Sequence, residues 1–75
     1  MKQIVEYHIS RLKDKSATAR LKAIQELVLL EDRNSLDALK EVFENDVDED
    51  VRKAAQQAGR EIFLKLRAKE DQTNS

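Results

Sequence analysis

The sequence predicts an all-α fold of four antiparallel helices, and three observations lead there. The first is a repeated motif. Asp14, Ser16, Ala19, Arg20 and Ala23 return as Asp46, Asp48, Val51, Arg52 and Ala55, each 32 positions further on. A repeat of this period is one supersecondary unit, which cannot bury its apolar face alone and must stack on a neighbour. The second is periodicity: four segments carry apolar residues at helical spacing, and no segment alternates as a strand does. The third is composition: Pro is absent and there is one Gly, which starves β-turns of their usual residues.

The first helix is expected over about Lys2–Lys13, where Val5, His8, Ile9 and Leu12 form one stripe. Asp14, Lys15 and Ser16 then read as a turn, with the Ser16 hydroxyl capping the next helix. That second helix should cover Ala17–Glu31. Its stripe of Ala19, Ala23, Leu27 and Leu30 is widened by Leu21, Ile24 and Val28. A polar break, Glu31 to Ser35, follows, in which Asn34 or Ser35 is expected to cap the third helix. The third helix, Leu36–Glu44, presents Leu36, Leu39, Val42 and Phe43. Asn45 to Asp48 is the second turn, with Asp48 as N-cap. Glu49 and Asp50 then sit where the helix dipole favours negative charge. The fourth helix should span Glu49–Ala68, with Val51, Ala55, Ala58, Ile62 and Leu66 facing inward and Lys65, Arg67 and Lys69 at its C-terminal end. Residues 70–75 hold no apolar side chain and are expected to be a disordered tail. The odd helices correspond as well: Val5, His8 and Leu12 map onto Leu36, Leu39 and Phe43. The predicted domain is therefore a single unit over 1–69, with repeats over about 2–31 and 34–68.

These residues resemble the HEAT repeat, particularly the short type related to phycobilin lyases. Asp46, Asp48, Val51, Arg52, Ala55 and Gly59 fit that pattern well, and Asp14, Ser16, Arg20 and Ala23 fit it more loosely. Lys15 and Val47 stand where the family often has Pro. The resemblance implies a right-handed α-α superhelix of two helix pairs. It also implies an Arg that ties neighbouring turns together, and a binding scaffold without catalytic residues. Arg52 is accordingly expected to bond to a carboxylate of Asp14, Asp46 or Asp48, and to matter more than Arg20.

The chain of 75 residues carries 14 basic and 15 acidic residues, a net charge of −1. No bulk field favours DNA or an anionic membrane. With no Cys there is no disulfide frame, thiol nucleophile or thiolate metal site. Lys2, Glu6, His8 and Arg11 interrupt any signal-like run, and no apolar stretch approaches the ~20 residues of a membrane span. A cytoplasmic protein is expected.

The residues that could carry chemistry read better as structure. Asp46, Asp48 and Asp50 open like a calcium loop, but Val51 and Gln57 stand where an EF-hand needs Gly and Glu. His8 is the single His and has no companion at ligand spacing. Ser10, Ser16 and Ser35 have no nucleophilic arrangement around them. Gly59, in a helix interior, costs about 1 kcal/mol relative to Ala, and close approach of another helix is its expected compensation. Lys53, Arg60 and Arg67 share one side of the fourth helix and read as a solvated face before a phosphate-contact one.

The function that follows is a non-enzymatic protein–protein interaction module without metal or cofactor. The contact candidates are Lys22, Gln25, Glu26 and Leu29 on the second helix and Lys53, Gln56, Gln57 and Arg60 on the fourth. An accessory role in bilin attachment or removal on phycobiliproteins is the alternative that the resemblance implies. A nucleic-acid accessory is the other alternative, which the interleaved acids and bases disfavour. Ile4 and Tyr7 at one end, and Phe63 and Leu64 at the other, are too many to bury in so small a bundle. A homodimer or a larger protein partner is expected to cover the second end, anchored on Phe63.

Overall fold

The computed structural model describes residues 2–74, and the side chains of residues 2–72. Four helices account for the fold: α1 (Lys2–Arg11), α2 (Ala17–Leu30), α3 (Ser35–Asn45) and α4 (Glu49–Asn74). There is no strand among the described residues. The helices form two antiparallel pairs, α1 with α2 and α3 with α4. α4 packs along both α3 and α2, and α1 touches α3 only lightly. The molecule measures 44 × 24 × 15 Å. A helix of 26 residues spans about 39 Å, so α4 sets the long dimension.

The core is built from the predicted stripes. Val5, Leu12, Ala23, Ile24, Leu27, Leu39, Val51, Ala55, Ala58 and Ile62 are buried in one cluster. Leu27, Leu39 and Ile62 are fully enclosed, so cutting any of them to Ala costs about 2–5 kcal/mol. His8, Ile9, Leu36, Val42 and Leu66 are half-buried. Phe43 departs from its expected place in the core: 39% of it is exposed, because its side of α3 has no helix over it.

The two turns are copies of one another. Asp14 Oδ1 accepts from the Ser16 backbone N–H at 2.8 Å, and Asp46 Oδ1 accepts from that of Asp48 at 2.9 Å. Ser16 Oγ then accepts from the Ala19 N–H, and Asp48 Oδ1 from the Val51 N–H. Each cap satisfies one of the donors that a helix start leaves open.

Several boundaries differ from expectation. α1 stops at Arg11, because the N–H groups of Leu12, Lys13 and Asp14 bond three residues back instead of four. That tightens the last turn, as helix ends commonly do. α2 ends at Leu30. Glu31 adopts a left-handed conformation, φ 51°, and its N–H returns to the Leu27 carbonyl. α3 starts at Ser35, and neither expected cap serves it: Asn34 makes no side-chain cap bond. Asp32 organises the start instead. Its Oδ1 accepts from the Asn34 N–H, and its carbonyl accepts from the Ser35 Oγ. Ser35 is thereby satisfied and fully buried. α4 runs to Asn74 and not Ala68, so residues 70–74, expected to be a disordered tail, are helical. The extension is tied back to the α2–α3 connection by Arg33 with Glu70 and by Lys69 with Glu31. Ser75 lies outside the described residues.

Candidate functional site

Arg20 and Arg52 come from equivalent places on α2 and α4, and each reaches back into its own turn. Arg20 Nη1 donates to the Asp14 carbonyl at 2.8 Å, and Arg52 Nη1 donates to the Asp46 carbonyl at 2.7 Å. Beyond that they differ. Arg20 also reaches forward to the second turn. Its Nη2 donates to Asp46 Oδ1 at 3.2 Å, and its Nε lies 2.9 Å from Asp46 Oδ2. Nε is buried and its contact is poorly angled for a hydrogen bond, so the ion pair is what stabilises it. The two side chains are only 11% and 8% exposed. Arg52 bonds to no carboxylate, contrary to expectation, because no further turn follows it among the described residues to supply one. Its Nε and Nη2 have no partner among the described residues.

The rule that emerges is directional. Each Arg satisfies its own turn, and Arg20, which has a second turn after it, also takes the Asp of that turn. Asp46 is committed to Arg20 and the Asp48 N–H, and Asp48 to the cap of α4. These carboxylates are therefore spent on the protein itself.

The same position-by-position comparison shows what lies at each end of the stack. The face of α3 and α4 that meets the first pair is lined by Ser35, Ala38, Val42, Val51, Ala54 and Ala58, all buried or half-buried. Their counterparts on the first pair include Tyr7, Arg11, Lys22 and Glu26, which surround a shallow depression between α1 and α2. Tyr7 is 59% exposed, with its ring edge-on to His8 at 5.1 Å. Arg11 pairs with Asp14 at 2.8 Å, which engages in place the carboxylate that an Arg from a preceding turn would take. This end is closed by bulk and charge, the polar outer face that a capping repeat has.

The other end is open. On the first pair, Val5, Leu12, Ile24 and Leu27 are buried and Ile9 is half-buried. Their counterparts on the second pair are Leu36, Lys40, Phe43, Gln56 and Gly59. With Leu39, Ala55 and Phe63 these border a groove of about 290 Å³ between α3 and α4. Phe63 is 48% exposed. Gly59 lies where the first pair has Leu27. A Cβ there would meet nothing within 4 Å, so the expected close approach of another helix is absent and the glycine instead leaves the groove hollow.

The contact candidates read from the sequence do not share one surface. Lys22 and Glu26 line the closed end, and Gln25 and Leu29 lie exposed on α2. Gln56 and Phe63 line the open groove. Arg60 follows Gln56 by four residues and precedes Phe63 by three, which places it on the same side of α4. Lys53 is exposed and paired with Glu49, while Gln57 and Leu64 are exposed. Sequence reasoning took Leu36 and Phe43 for core alone and did not single out Lys40, and all three line the groove. Their distance from any following turn motif was the available signal. Among the described residues no helix is long and apolar enough to cross a membrane, and no cluster of His, Asp and Glu is arranged for a metal ion.

A family model described as HEAT repeats matches residues 1–59. The match is to HEAT repeats at large and does not reach the narrower group of phycobilin lyases. No curated protein and no solved structure matches the chain.

Proposed function

The chain belongs to the HEAT-repeat family, and from that premise we propose that it is a non-enzymatic interaction module that binds a protein partner at the α3–α4 end. HEAT repeats generally mediate protein–protein interaction or scaffolding, which supports the general reading. The observation that carries the specific one is the asymmetry of the two ends. One is closed by Tyr7, Arg11, Lys22 and Glu26. The other leaves Phe43 and Phe63 exposed beside a hollow at Gly59. Exposed aromatic side chains bordering a concavity are what interface anchors are made of.

Two occupants suit such an end, a second copy of the chain and a different protein. A second copy turned to face the first would set Lys40, Arg60 and Arg67 of each against the same cations of the other. Like charges brought together in an interface oppose association. The reading therefore favours a different protein.

Affinity capture from the native host tests it, using the parent chain, a Phe43→Ser/Phe63→Ser variant and a Tyr7→Ser control at the closed end. The expected result is a protein retained by the parent and the control and lost with the double variant. Identical captures by all three, or none by any, would remove the reading.

A further inference from the structure

The open end carries an unfilled bonding position as well as an apolar groove. At the junction inside the chain, Arg20 presents Nε and Nη2 to the Asp46 carboxylate of the following turn. Arg52 makes the same bond to its own turn and keeps the corresponding two donors without a partner among the described residues. It precedes Ala55 and Gln56 of the groove by three and four residues, so it lies on the groove side of α4. A guanidinium with a fixed fork already half engaged is preorganised for a carboxylate.

Three further cations lie along the groove and beside it. Lys40 lines the groove from α3. Arg60 shares the Gln56 and Phe63 side of α4, and Arg67 lies beside Phe63 and Leu66. None of the three is paired among the described residues. Asp71 and Glu70 lie past Leu66, and Arg33 engages Glu70. The groove thus combines an apolar floor with cations that have no acids assigned to them.

Resting on the interaction reading above, we propose that the occupant of this groove is an acidic amphipathic helix of another protein. One large apolar side chain fills the hollow over Gly59 between Phe43 and Phe63. One Asp or Glu takes the open donors of Arg52. Further carboxylates face Lys40, Arg60 and Arg67. The internal junction is the template for the pairing: there Val5, Leu12, Ile24 and Leu27 of the equivalent face are buried, and the equivalent Arg is met by a carboxylate. The difference lies at Gly59. The first pair fills that position with Leu27, and the second leaves it for the partner to fill.

The test uses the full chain and a displayed library of helix-biased peptides. Apolar residues are fixed at i, i+3, i+4 and i+7, and the other positions are randomised among Glu, Gln and Lys. The proposal expects selected peptides to be enriched in Glu over Lys and to shift amide resonances of Leu36–Phe43 and Arg52–Arg67. Phe63→Ser should weaken a selected peptide by roughly thirtyfold, as loss of an aromatic anchor does. Gly59→Leu, which fills the hollow with the residue of the first pair, should weaken it comparably without unfolding the chain, since there is open space at that position. Lys40→Glu/Arg60→Glu/Arg67→Glu should reverse the enrichment toward Lys.

Enrichment of Lys, or equal recovery of Glu and Lys, overturns the proposal. So does resonance shift confined to the α1–α2 end. Saturable binding of anionic phospholipid vesicles or of a DNA duplex at the same residues, with no peptide selected, assigns the cations to phosphate and overturns it too. So does sedimentation at twice the chain mass with the groove resonances lost. A host protein captured through Phe43 and Phe63 that carries no acidic helix would sink this inference and leave the interaction reading intact.

Discussion

Arg20 stabilises the junction through contacts that Arg52 lacks. It bonds to two carbonyls of its own turn, Asp14 and Lys15, and to Asp46 Oδ1, and its Nε makes an ion pair with Asp46 Oδ2. Water reaches little of this ion pair, so removing one partner leaves the other charged and desolvated. Arg20→Ala is expected to cost about 3 kcal/mol, the range for breaking a buried pair. Arg52→Ala loses one hydrogen bond beside solvent and should cost about 1 kcal/mol. Urea denaturation of the two variants checks the order, and equal losses would mean that the Asp46 contact contributes nothing. Arg20→Lys should recover only part of the difference, because an ammonium cannot span two carboxylate oxygens and two carbonyls from one plane. The motif itself made the opposite ranking natural. The second turn matches the family pattern better, but motif quality describes a turn and its own helix. The strength of the bond depends on the turn that comes after, and the first Arg has one.

At the scale of the element, α4 outruns its apolar stripe. Past Leu66 none of its described side chains is buried, and its last turns are tied to the α2–α3 connection through side chains that lie far apart in sequence. Glu31 is the centre of that tie, with Lys69 at 3.0 Å and Lys65 at 3.9 Å. It also holds a left-handed backbone, which costs a non-glycine residue about 1 kcal/mol. The hydrogen bond from Lys69 holds the Glu31 carboxyl below its ordinary value. The charges of Lys69 and Lys65 add to this, and desolvation opposes it. Because the folded value lies below the unfolded one, the link contributes fully above the unfolded value and is lost as pH falls through the folded one. Amide exchange along Lys65–Glu70 should therefore be faster in Glu31→Gln than in the parent at neutral pH. The two should converge well below the ordinary carboxylate range, and equal exchange at neutral pH would show that the tie does not order the helix. Periodicity fixed the helices, their pairing and most of the core, because burial of Leu27, Leu39 and Ile62 follows directly from spacing. Residues 70–74 were not legible as helix, since long-range ion pairs leave no periodic trace. Phe43 was misread for the converse reason: its stripe is correct, but a stripe does not say whether anything covers it.

The whole molecule is a stack with a closed end and an open one, and the closure has a consequence for self-assembly. A head-to-tail copy would bring Asp14 toward Arg52 in the relation that Asp46 has to Arg20. A heterologous contact of that kind does not close on itself and grows into a filament. Four residues stand in the way. The junction within the chain requires Ala38, Val42, Ala54 and Ala58, and the first pair carries Tyr7, Arg11, Lys22 and Glu26 in their places. Arg11 obstructs twice, by its bulk and by engaging the Asp14 carboxylate at 2.8 Å. Burying those side chains against the α3–α4 face would desolvate their charges, at several kcal/mol per ion, and would bring Arg11 and Lys22 to a face that already holds cations unpaired among the described residues. Replacing them by their counterparts, Tyr7→Ala, Arg11→Val, Lys22→Ala and Glu26→Ala, removes the obstruction and frees Asp14 to meet Arg52. The variant is expected to sediment as an open series of oligomers that lengthens with concentration, and the parent to show no such series. Adding Arg52→Ala to the variant should shorten the series, because the carboxylate then meets no guanidinium. A variant that sediments as a single chain at all concentrations would show that bulk and charge at the α1–α2 end are not what keeps the stack from continuing. Arg52 is thus the bonding position that a head-to-tail copy would use, and it is the one that the proposed partner takes with its own carboxylate.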